Sequence, residues 1–409
     1  MKALFLLKIS ALYADEKASH FLGLMLIFGI STGLFTGVLN NYLHEILHIS
    51  KVERGMIELP RELPGLLLIF IIAMLYRFSE VRILRIAVLI SLAGIAGMTL
   101  YGTSRLMAIG MIVLWSTGEH MMMPVRQSLG VHMAQKGREG LALGAVRSMT
   151  NFGQLIGYYL IPLIFIVLPF HNIQKATFPY FRLIFMLMVV TLTAGLILST
   201  RLRQKNRHIQ RKRLHFSRKF TKYYILEVFF GARKQVFLTF APYVLIVQYG
   251  AQTETLALLY GLFSTINIFA APLVGRLIDR LGYRIVIIMD TILLIVLCLL
   301  YGFAHHLLPR TAAFFLICGV FIFDSVLFVV SIARTMYVKQ ISDNQNEVTS
   351  TLTTGTSINH FISILIAIAG GLLWEHMGIE VLFTIAALFG LGSFFFSLTI
   401  PKENTGTGP

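Results

Sequence analysis

Charged residues are scarce in this chain. Only 13% of its 409 residues are Asp, Glu, Lys or Arg, whereas 56% are hydrophobic. Because a soluble domain carries about 25% charged residues, this composition excludes an ordinary water-soluble globular protein. Acidic residues are scarcer than basic ones, with 19 Asp and Glu against 35 Lys and Arg. The surplus of apolar residues predicts a chain that lies within a lipid bilayer.

Cysteine is almost absent, since the chain has only Cys298 and Cys318, each inside an apolar run. This excludes a disulfide framework and a cysteine-based metal site, and we expect both thiols to be buried or to face lipid. A phosphate-binding loop of the form G-x-x-x-x-G-K-[ST] is also absent, so ATP-driven transport would need another subunit. Because no paired catalytic motif stands within the apolar runs, we expect no enzymatic activity, no cofactor and no resident metal.

Long apolar runs, in contrast, are abundant. A helix needs about 20 mostly apolar residues to cross a bilayer, and twelve such runs follow one another along the chain. In the first half they lie at about 21–43, 55–76, 84–103, 106–126, 141–168 and 180–200. In the second half they lie at about 223–248, 254–276, 284–304, 311–334, 351–373 and 378–400. The sequence therefore predicts an all-α integral membrane protein of twelve transmembrane helices.

The connections between these runs are short, except for a basic segment at 201–222. It contains ten Lys or Arg and no acidic residue, which predicts a cytoplasmic position because positively charged loops stay inside. Alternation from this segment places both termini in the cytoplasm. Contact with anionic lipid explains the charge better than nucleic acid does, so we expect lipid contacts and no nucleic-acid partner. The lack of a large soluble domain favours a bacterial inner (plasma) membrane.

The two halves of the chain align with each other without gaps over long stretches. The pairs aligned at an offset of 202 or 208 residues include Phe28 with Phe230, Arg82 with Arg284, Arg126 with Arg334, and Asn151 with Asn359. We therefore predict an N-terminal six-helix bundle at 1–200, a basic linker at 201–222 and a C-terminal six-helix bundle at 223–409. This is the plan of a membrane protein built from parallel repeats.

The loop between the eighth and ninth runs carries a recognisable pattern. Its sequence at 275–284, GRLIDRLGYR, resembles the G-x-L-x-D-R-x-G-x-[KR] signature of the major facilitator superfamily. The resemblance implies two six-helix bundles, a secondary transporter and a cytoplasmic position for this loop, whereas the corresponding first-half loop lacks both the Gly and the Asp. The glycines allow a tight turn and close helix approach. The Asp and its flanking Arg residues can form a charge-assisted network that latches the two halves in one state. The alternative is a solvated loop that only sets topology. The residues expected to act in gating are Arg61, Arg126, Gly275, Asp279, Arg280, Gly282, Arg284 and Arg334.

Charged residues within the apolar runs are costly in a bilayer and are therefore functional candidates. Arg233 and Lys234 lie about ten residues into the seventh run, roughly 15 Å deep at 1.5 Å per residue. Asp324 in the tenth run lies at a similar depth, and we expect it to pair with one of these two cations. The alternative to a site that meets substrate or a proton is a static pair that fixes helix packing.

The fourth and fifth runs carry a corresponding set of polar residues. Arg147, Asn151 and Gln154 recur at helical spacing, which predicts one polar stripe, and we hypothesise that Glu119 in the fourth run pairs with Arg147. A seam of interhelical hydrogen bonds is the alternative. The candidates for substrate binding are Arg147, Asn151, Gln154, Arg233, Lys234, Asn267, Asn359 and His360.

The start of the second run is unusually polar. Glu58 and Glu62 share a helical face with Arg61 close by, and Pro60 with Pro64 is expected to kink or interrupt the helix start. We interpret this segment as an outer gate or proton site, or as a solvated helix start. A carboxylate whose cationic partner comes and goes takes up and releases a proton. The candidates for proton coupling are Glu58, Glu62, Glu119, His120 and Asp324.

Small residues in the fifth run predict close helix packing. Gly140, Gly144 and Ser148 form one row, and Gly153 with Gly157 forms another. The second row partly resembles a glycine motif of antiporters in the superfamily, although a tyrosine stands where that motif has proline.

Together these features predict a secondary active transporter that works by alternating access around a central site. The mixed charges favour a small anionic or zwitterionic organic solute, moved together with protons. The alternative is a proton-coupled exporter of amphiphilic drugs, and a membrane receptor or lipid scramblase on the same fold is a remote third. We expect a monomer whose partners are its solute, protons and membrane lipids.

Overall fold

The computed structural model describes residues 13, 17–75, 78–135, 139–167, 178–202, 216–343 and 345–401. Within these ranges the regular structure is helical, apart from one isolated bridge between Tyr13 and Ala134. The apolar runs form helices because a backbone in lipid must satisfy its own hydrogen bonds. The helices of the first half are α1 (Ala18–Asn41), continued by a π-helical turn (Tyr42–Ile46), α2 (Lys51–Leu66), α3 (Leu68–Met74), α4 (Glu80–Tyr101), α5 (Arg105–Met133), α6 (Glu139–Val167) and α7 (Phe178–Thr200).

The second half begins with a helix that is interrupted by a π-helical turn at Val236–Phe240. Its helices are α8 (Thr221–Gln235), α9 (Ala241–Val247), α10 (Thr253–Leu281), α11 (Tyr283–Leu307), α12 (Arg310–Leu327), a 3-10 turn (Phe328–Val330), α13 (Ser331–Ile341) and α14 (Gln345–Ser397). Gly378 within α14 has a φ of 87°, a left-handed conformation that glycine adopts without strain. The element α14 is therefore two helices joined at a kink.

Eight helices in the described part of the chain are long and apolar enough to cross a membrane. One of them, Thr354–Ser397, contains the kink at Gly378 and so covers two predicted spans. The three remaining predicted spans are also helical, and they correspond to α2 with α3, to α6, and to α8 with α9. Hydropathy and observed helices thus agree on the order of the spans.

Helix α2 departs from the expectation for its prolines. Pro60 and Pro64 both lie inside the continuous helix Lys51–Leu66, so of the two expected outcomes the interruption is wrong and the kink stays a prediction. The break comes later, at Leu67 between α2 and α3. Proline removes one backbone donor, and the helix continues through both positions.

The described helices form two compact units. The first unit contains 1–49, 60–210 and 252–261, and the second contains 50–59, 211–251 and 262–409. The short segments 50–59 and 252–261 are separated by the same offset of 202 residues that aligns the two halves. The linker at 201–222 stays a prediction, because 203–215 lie outside the described residues.

Helices α1 and α6 pack closely within the first unit. A Cβ on Gly153 or Gly157 would overlap the backbone of Leu26 or Ile30, so the second predicted glycine row is confirmed as a packing surface. Gly144 has no described atom within 4 Å of a Cβ position. The prediction of close packing at the first row is therefore wrong for this residue.

Candidate functional site

Helix α8 carries the charged residues around which the second unit is organised. Glu227 and Lys234 are two helical turns apart and share a face, whereas the side chain of Arg233 points about 100° away from that of Lys234. The helix therefore contributes side chains to two separate groups of ionic residues. The Arg233 cluster consists of Arg233, Asp290 and Asp324, and the Glu227 cluster consists of Glu227, Lys234, Arg334 and Asn359.

Arg233 binds two carboxylates that come from two other helices. Its Nη1 lies 3.0 Å from Oδ1 and 3.0 Å from Oδ2 of Asp290 on α11, and its Nη2 lies 3.0 Å from Oδ1 of Asp324 on α12. All three side chains are buried. The structure thus contains the expected contact between Asp324 and a cation of the seventh run. When all three groups are ionised, the cluster has one negative charge in excess.

The rest of the guanidinium of Arg233 has apolar surroundings. Its Cζ lies 5.3 Å from the ring centroid of Phe328, within the range of a cation–π interaction. Its Nε is buried and has no hydrogen-bond partner among the described residues. Because an unpaired buried charge is strongly destabilising, Arg233 and its two carboxylates depend on one another.

The Glu227 cluster joins two cations through one carboxylate and one amide. Nε of Arg334 lies 3.0 Å from Oε1 of Glu227, and Nδ2 of Asn359 donates to Oε2 at 3.3 Å. The Oδ1 of Asn359 accepts a hydrogen bond from Nζ of Lys234 at 2.8 Å. The guanidinium carbon of Arg334 also lies 3.6 Å from the ring centroid of Phe230. Arg334, expected to act in gating, is thus a buried member of an ionic cluster.

A small cavity adjoins members of both clusters. Arg233, Asp290 and Arg334 line it, together with mostly apolar residues of α8, α11 and α14. Its volume of about 20 Å³ is enough for roughly one water molecule. The two clusters therefore share one small polar space within the second unit.

A third polar group lies in the first unit, where α2 meets α5. Nη2 of Arg61 lies 2.6 Å from Oε1 of Glu62, and Nε2 of His120 lies 3.9 Å from Oε2 of the same carboxylate. Ser116 joins the two helices, because its hydroxyl donates to the carbonyl oxygen of Arg61 at 2.5 Å. Glu62 and His120, both proposed for proton coupling, are therefore buried neighbours.

Glu119 has different neighbours from those hypothesised. In the described part of the chain no ion pair joins it to Arg147, whose side chain is exposed on α6. The charged groups that act on Glu119 are those of Arg61, Arg126 and Glu62. Arg126 follows Glu119 by two helical turns on α5, so the two share a face. The hypothesis of a Glu119–Arg147 pair is wrong here, because helical spacing gives a stripe but not the direction in which it faces.

Glu58 is completely buried in the middle of α2. It accepts a hydrogen bond from Nη1 of Arg54, one turn earlier, at 2.5 Å. Both residues belong to the second unit, where Gly55 leaves no room for a Cβ against the carbonyl of Ala367. The alternative of a solvated helix start is therefore wrong for Glu58.

The remaining substrate-binding candidates are not members of the Arg233 cluster or the Glu227 cluster. Asn151 is exposed and Gln154 is half-buried on α6. Asn267 on α10 donates from Nδ2 to the carbonyl oxygen of Ser325 at 3.5 Å. His360 is half-buried on α14. Their roles stay predictions.

The signature loop forms the turn between α10 and α11. Gly282 has a φ of 80°, which confirms the predicted tight turn. Gly275 has no described atom within 4 Å of a Cβ position, so the predicted close approach there is wrong. Arg280 is exposed, and the side chain of Asp279 lies outside the described part of the structure. The latch therefore stays a prediction.

Arg284 at the end of the signature caps a helix. Its Nη2 donates to the carbonyl oxygen of Leu398 at 2.6 Å, near the end of α14. In the first unit, Nη2 of Arg85 donates to the carbonyl oxygen of Ser199 at 3.0 Å, near the end of α7. Cations are favoured at helix C-termini, where carbonyls lack partners. Arg85, and not the aligned Arg82, is thus the structural counterpart of Arg284.

Asp290 and Glu227 are the site residues that sequence reasoning missed. Both stand within predicted runs, at 284–304 and 223–248, and each pairs with a buried arginine. The cost of an ionised group in a bilayer, which marked Asp324, would have marked both of them.

Two short patterns typical of hydrolases also occur, so the expectation that such motifs are absent is wrong. Residues 29–33, GISTG, match G-x-S-x-G, and residues 44–48, HEILH, match H-E-x-x-H. Ser31 lies within α1 with its hydroxyl 2.7 Å from that of Thr191, and not on the strand-to-helix turn of a hydrolase nucleophile. His48 lies beyond the helix with a φ of 50°, and the clustered metal-ligating groups of the described residues do not include it. Both matches are therefore without catalytic geometry.

Membrane-spanning helices in two units, with ionic clusters buried inside one of them, define a polytopic membrane transporter. The family model described as Major Facilitator Superfamily matches residues 21–363 and 223–408. The chain belongs to the major facilitator superfamily, as the signature loop indicated. No curated protein matches the chain in sequence.

Solved transporter structures share this fold over nearly the whole chain. A POT family transporter in complex with 5-aminolevulinic acid has a TM-score of 0.74 and 11% identity, covering 94% of this chain and 96% of its own. A D-xylose-proton symporter has a TM-score of 0.69 and 15% identity, covering 96% and 99%. The nucleoside transporter NupG has a TM-score of 0.68 and 12% identity, covering 94% and 98%. The predicted fold class is confirmed, and family and fold identify a secondary transporter rather than an enzyme.

Proposed function

We propose that the protein moves a small anionic or zwitterionic organic solute together with protons, and that the Arg233 cluster is the proton site. The observation that carries this proposal is one buried guanidinium shared by Asp290 and Asp324. Its excess negative charge is unfavourable within a bilayer. One proton on either carboxylate removes that charge.

The same geometry couples the proton to the solute. When one carboxylate of the Arg233 cluster is protonated, its hold on the guanidinium weakens, because an ion pair becomes a neutral contact. Arg233, which lines the small cavity together with Arg334, is then available as a cationic partner for an anionic group of the solute. Lys234, which is half-buried, adds a second positive charge on the same helix. Alternating access requires this kind of exchange between a loaded and an empty site.

The fold relatives are compatible with this proposal. One is described as a D-xylose-proton symporter, and another was solved with 5-aminolevulinic acid, a small zwitterion. At 15% and 11% identity they support only the statement that this fold accommodates proton symport and a small zwitterion. The choice of solute for this chain depends on its own charged residues.

We also propose a bacterial inner membrane location with both termini in the cytoplasm and a monomeric state. The cytoplasmic position of the termini is supported by the basic segment at 201–222, which carries ten Lys or Arg and no acid and so favours the cytoplasmic side.

Ligand screening by thermal unfolding of the purified protein tests the proposed solute class. A ligand that binds the folded state at 100 times its Kd adds about 2.7 kcal/mol of stability. We expect small anions or zwitterions to raise the unfolding temperature of the parent, and to do so more at acidic than at neutral pH. The Asp324→Asn variant should lose this difference between the two pH values, whereas Asp343→Asn, an exposed acid, should keep it. Stabilisation by lipophilic cations alone, equal in all variants, would favour the exporter of amphiphilic drugs.

A further inference from the structure

Two adjacent histidines at the end of α11 meet a glutamate that follows the kink at Gly378. Nε2 of His305 lies 2.9 Å from Oε1 of Glu380, and Nε2 of His306 lies 2.8 Å from the same oxygen. The two imidazole centroids are 4.0 Å apart. Three groups that can ligate a metal ion therefore converge on one point, away from the Arg233 and Glu227 clusters.

The backbone holds this trio in place. A Cβ on Gly378 would overlap Oε2 of Glu380, so the kink leaves space for the carboxylate. Gly302, one turn before the histidines, brings α11 close to the chain at Glu380, with 3.6 Å between a Cβ position and the Cα of Glu380. The positions of the three ligating groups thus follow from close packing of two helices.

The trio is open to solvent from one side. The side chain of His306 is 57% exposed and that of Glu380 is 29% exposed, whereas that of His305 is 23% exposed. Nδ1 of His305 is buried and has no hydrogen-bond partner among the described residues. An ion from solution can therefore reach the carboxylate and the Nε2 atoms. Alternation from the basic segment predicts that this end of α11 faces the outside.

We propose that His305, His306 and Glu380 form a binding site for a divalent transition-metal ion, with Zn²⁺ as the best match. Two imidazoles and one carboxylate form a ligand set that zinc binds at about 2.0–2.2 Å, with water in the fourth position. Tetrahedral ligand atoms at these distances are roughly 3.3 Å apart. The observed separations of 2.8 and 2.9 Å reach that value by small rotations of side chains. Magnesium and calcium prefer oxygen ligands, so this site selects against them.

The bound ion would join α11 to the last helix of the chain. Because the histidines and the glutamate lie 74 or 75 residues apart in sequence, metal binding stabilises the folded protein over the unfolded one. Zinc is therefore expected to raise the unfolding temperature without any change in the Arg233 cluster.

Calorimetric titration of the purified, EDTA-treated full-length protein with Zn²⁺ and with Mg²⁺ tests the site. We expect one Zn²⁺ per chain and no measurable Mg²⁺ binding. Changes outside the ligand sphere cost 10- to 100-fold in metal affinity, so loss of a ligand should weaken zinc binding by at least about 10-fold. This is the result expected for His306→Gln and for Glu380→Gln.

His376→Gln is the matched control, because His376 is an exposed histidine in the turn beside Gly378 and lies outside the trio. It should bind zinc as the parent does. Equal zinc affinity in the parent, His306→Gln and Glu380→Gln would overturn the proposal, and so would a loss in His376→Gln as large as in His306→Gln. If Glu380→Gln is unstable in EDTA, the test depends on His306→Gln alone, because His306 is exposed.

Discussion

Asp290 holds Arg233 with both of its carboxylate oxygens, each 3.0 Å from the same nitrogen, Nη1. Asp324 occupies the other terminal nitrogen at the same distance. Three helices of the second unit therefore meet at one positive charge. The cluster stabilises helix packing and is also the proposed proton site, and these two roles lead to separate predictions.

Removal of the central cation should destabilise the second unit. Arg233→Met leaves Asp290 and Asp324 buried without a partner, and breaking a buried ion pair in this way costs about 3–5 kcal/mol. Thermal or denaturant unfolding in detergent at neutral pH measures this loss. Arg280→Met, at an exposed position, should change stability by less than about 0.5 kcal/mol. Equal stability of the two variants would show that Arg233 does not hold the helices together.

The Glu227 cluster should depend on its one carboxylate. Glu227→Gln removes the carboxylate that pairs with Arg334, and loss of a hydrogen bond to a charged group costs about 1.5–3 kcal/mol. The matched control is Glu375→Gln, because Glu375 is exposed and lies 3.7 Å from Lys51; an exposed pair contributes at most about 1 kcal/mol. Unfolding in detergent compares the two variants. A smaller loss for Glu227→Gln than for the control would contradict the cluster.

Two glycines of α6 should respond differently to the same substitution. Gly153→Ala places a Cβ into the backbone of Leu26, and overpacking of this kind costs about 1–3 kcal/mol. Gly144→Ala meets open space and should be neutral or stabilise by up to about 1 kcal/mol, because alanine favours the helix. Unfolding temperatures of the two variants check the prediction, which fails if Gly144→Ala is the less stable.

The hydrogen bond between Tyr13 and Ala142 should stabilise the folded protein below strongly alkaline pH. The hydroxyl of Tyr13 donates to the carbonyl oxygen of Ala142 at 2.7 Å, and burial raises the pKa of Tyr13 to about 12. In the unfolded chain a tyrosine titrates near pH 10. The folded state therefore keeps a proton that the unfolded state loses, so stability falls as pH rises from about 10 to about 12.

The measurement for Tyr13 is unfolding of the parent and of Tyr13→Phe across this pH range. Loss of the hydrogen bond should cost about 0.5–1.5 kcal/mol at neutral pH, and the difference between parent and variant should shrink at high pH. Tyr101→Phe, at an exposed position, is the control. A difference that grows with pH would contradict the assignment.

Much of the fold could be predicted from hydropathy and from counting residues. A run of about 20 apolar residues is a span whatever packs beside it, so the order of the spans followed from sequence. Depth also follows from counting, because a helix rises 1.5 Å per residue. This is why Arg233 and Asp324 could be expected to meet.

The direction in which each face of a helix points could not be predicted in the same way. Glu119 and Arg147 lie in adjacent runs, but their directions depend on how α5 and α6 rotate about their axes, which composition does not set. In the structure, the cations that act electrostatically on Glu119 are Arg61 and Arg126. Asp290 was missed for a different reason, since the expected single counter-charge for Arg233 left no need for a second. Its position within an apolar run marks Asp290 as a candidate from sequence, but its contact with Arg233 through both oxygens follows only from the structure.

Transport in proteoliposomes tests the proton role of the Arg233 cluster most directly. Solute accumulation driven by a proton gradient and solute exchange without a gradient are measured for the parent, for Asp324→Asn, which leaves Arg233 paired with Asp290, and for Asp343→Asn as a surface control. The proposal predicts that Asp324→Asn loses accumulation but keeps exchange, whereas the parent and the control do both. Accumulation by Asp324→Asn at the parent rate would contradict it.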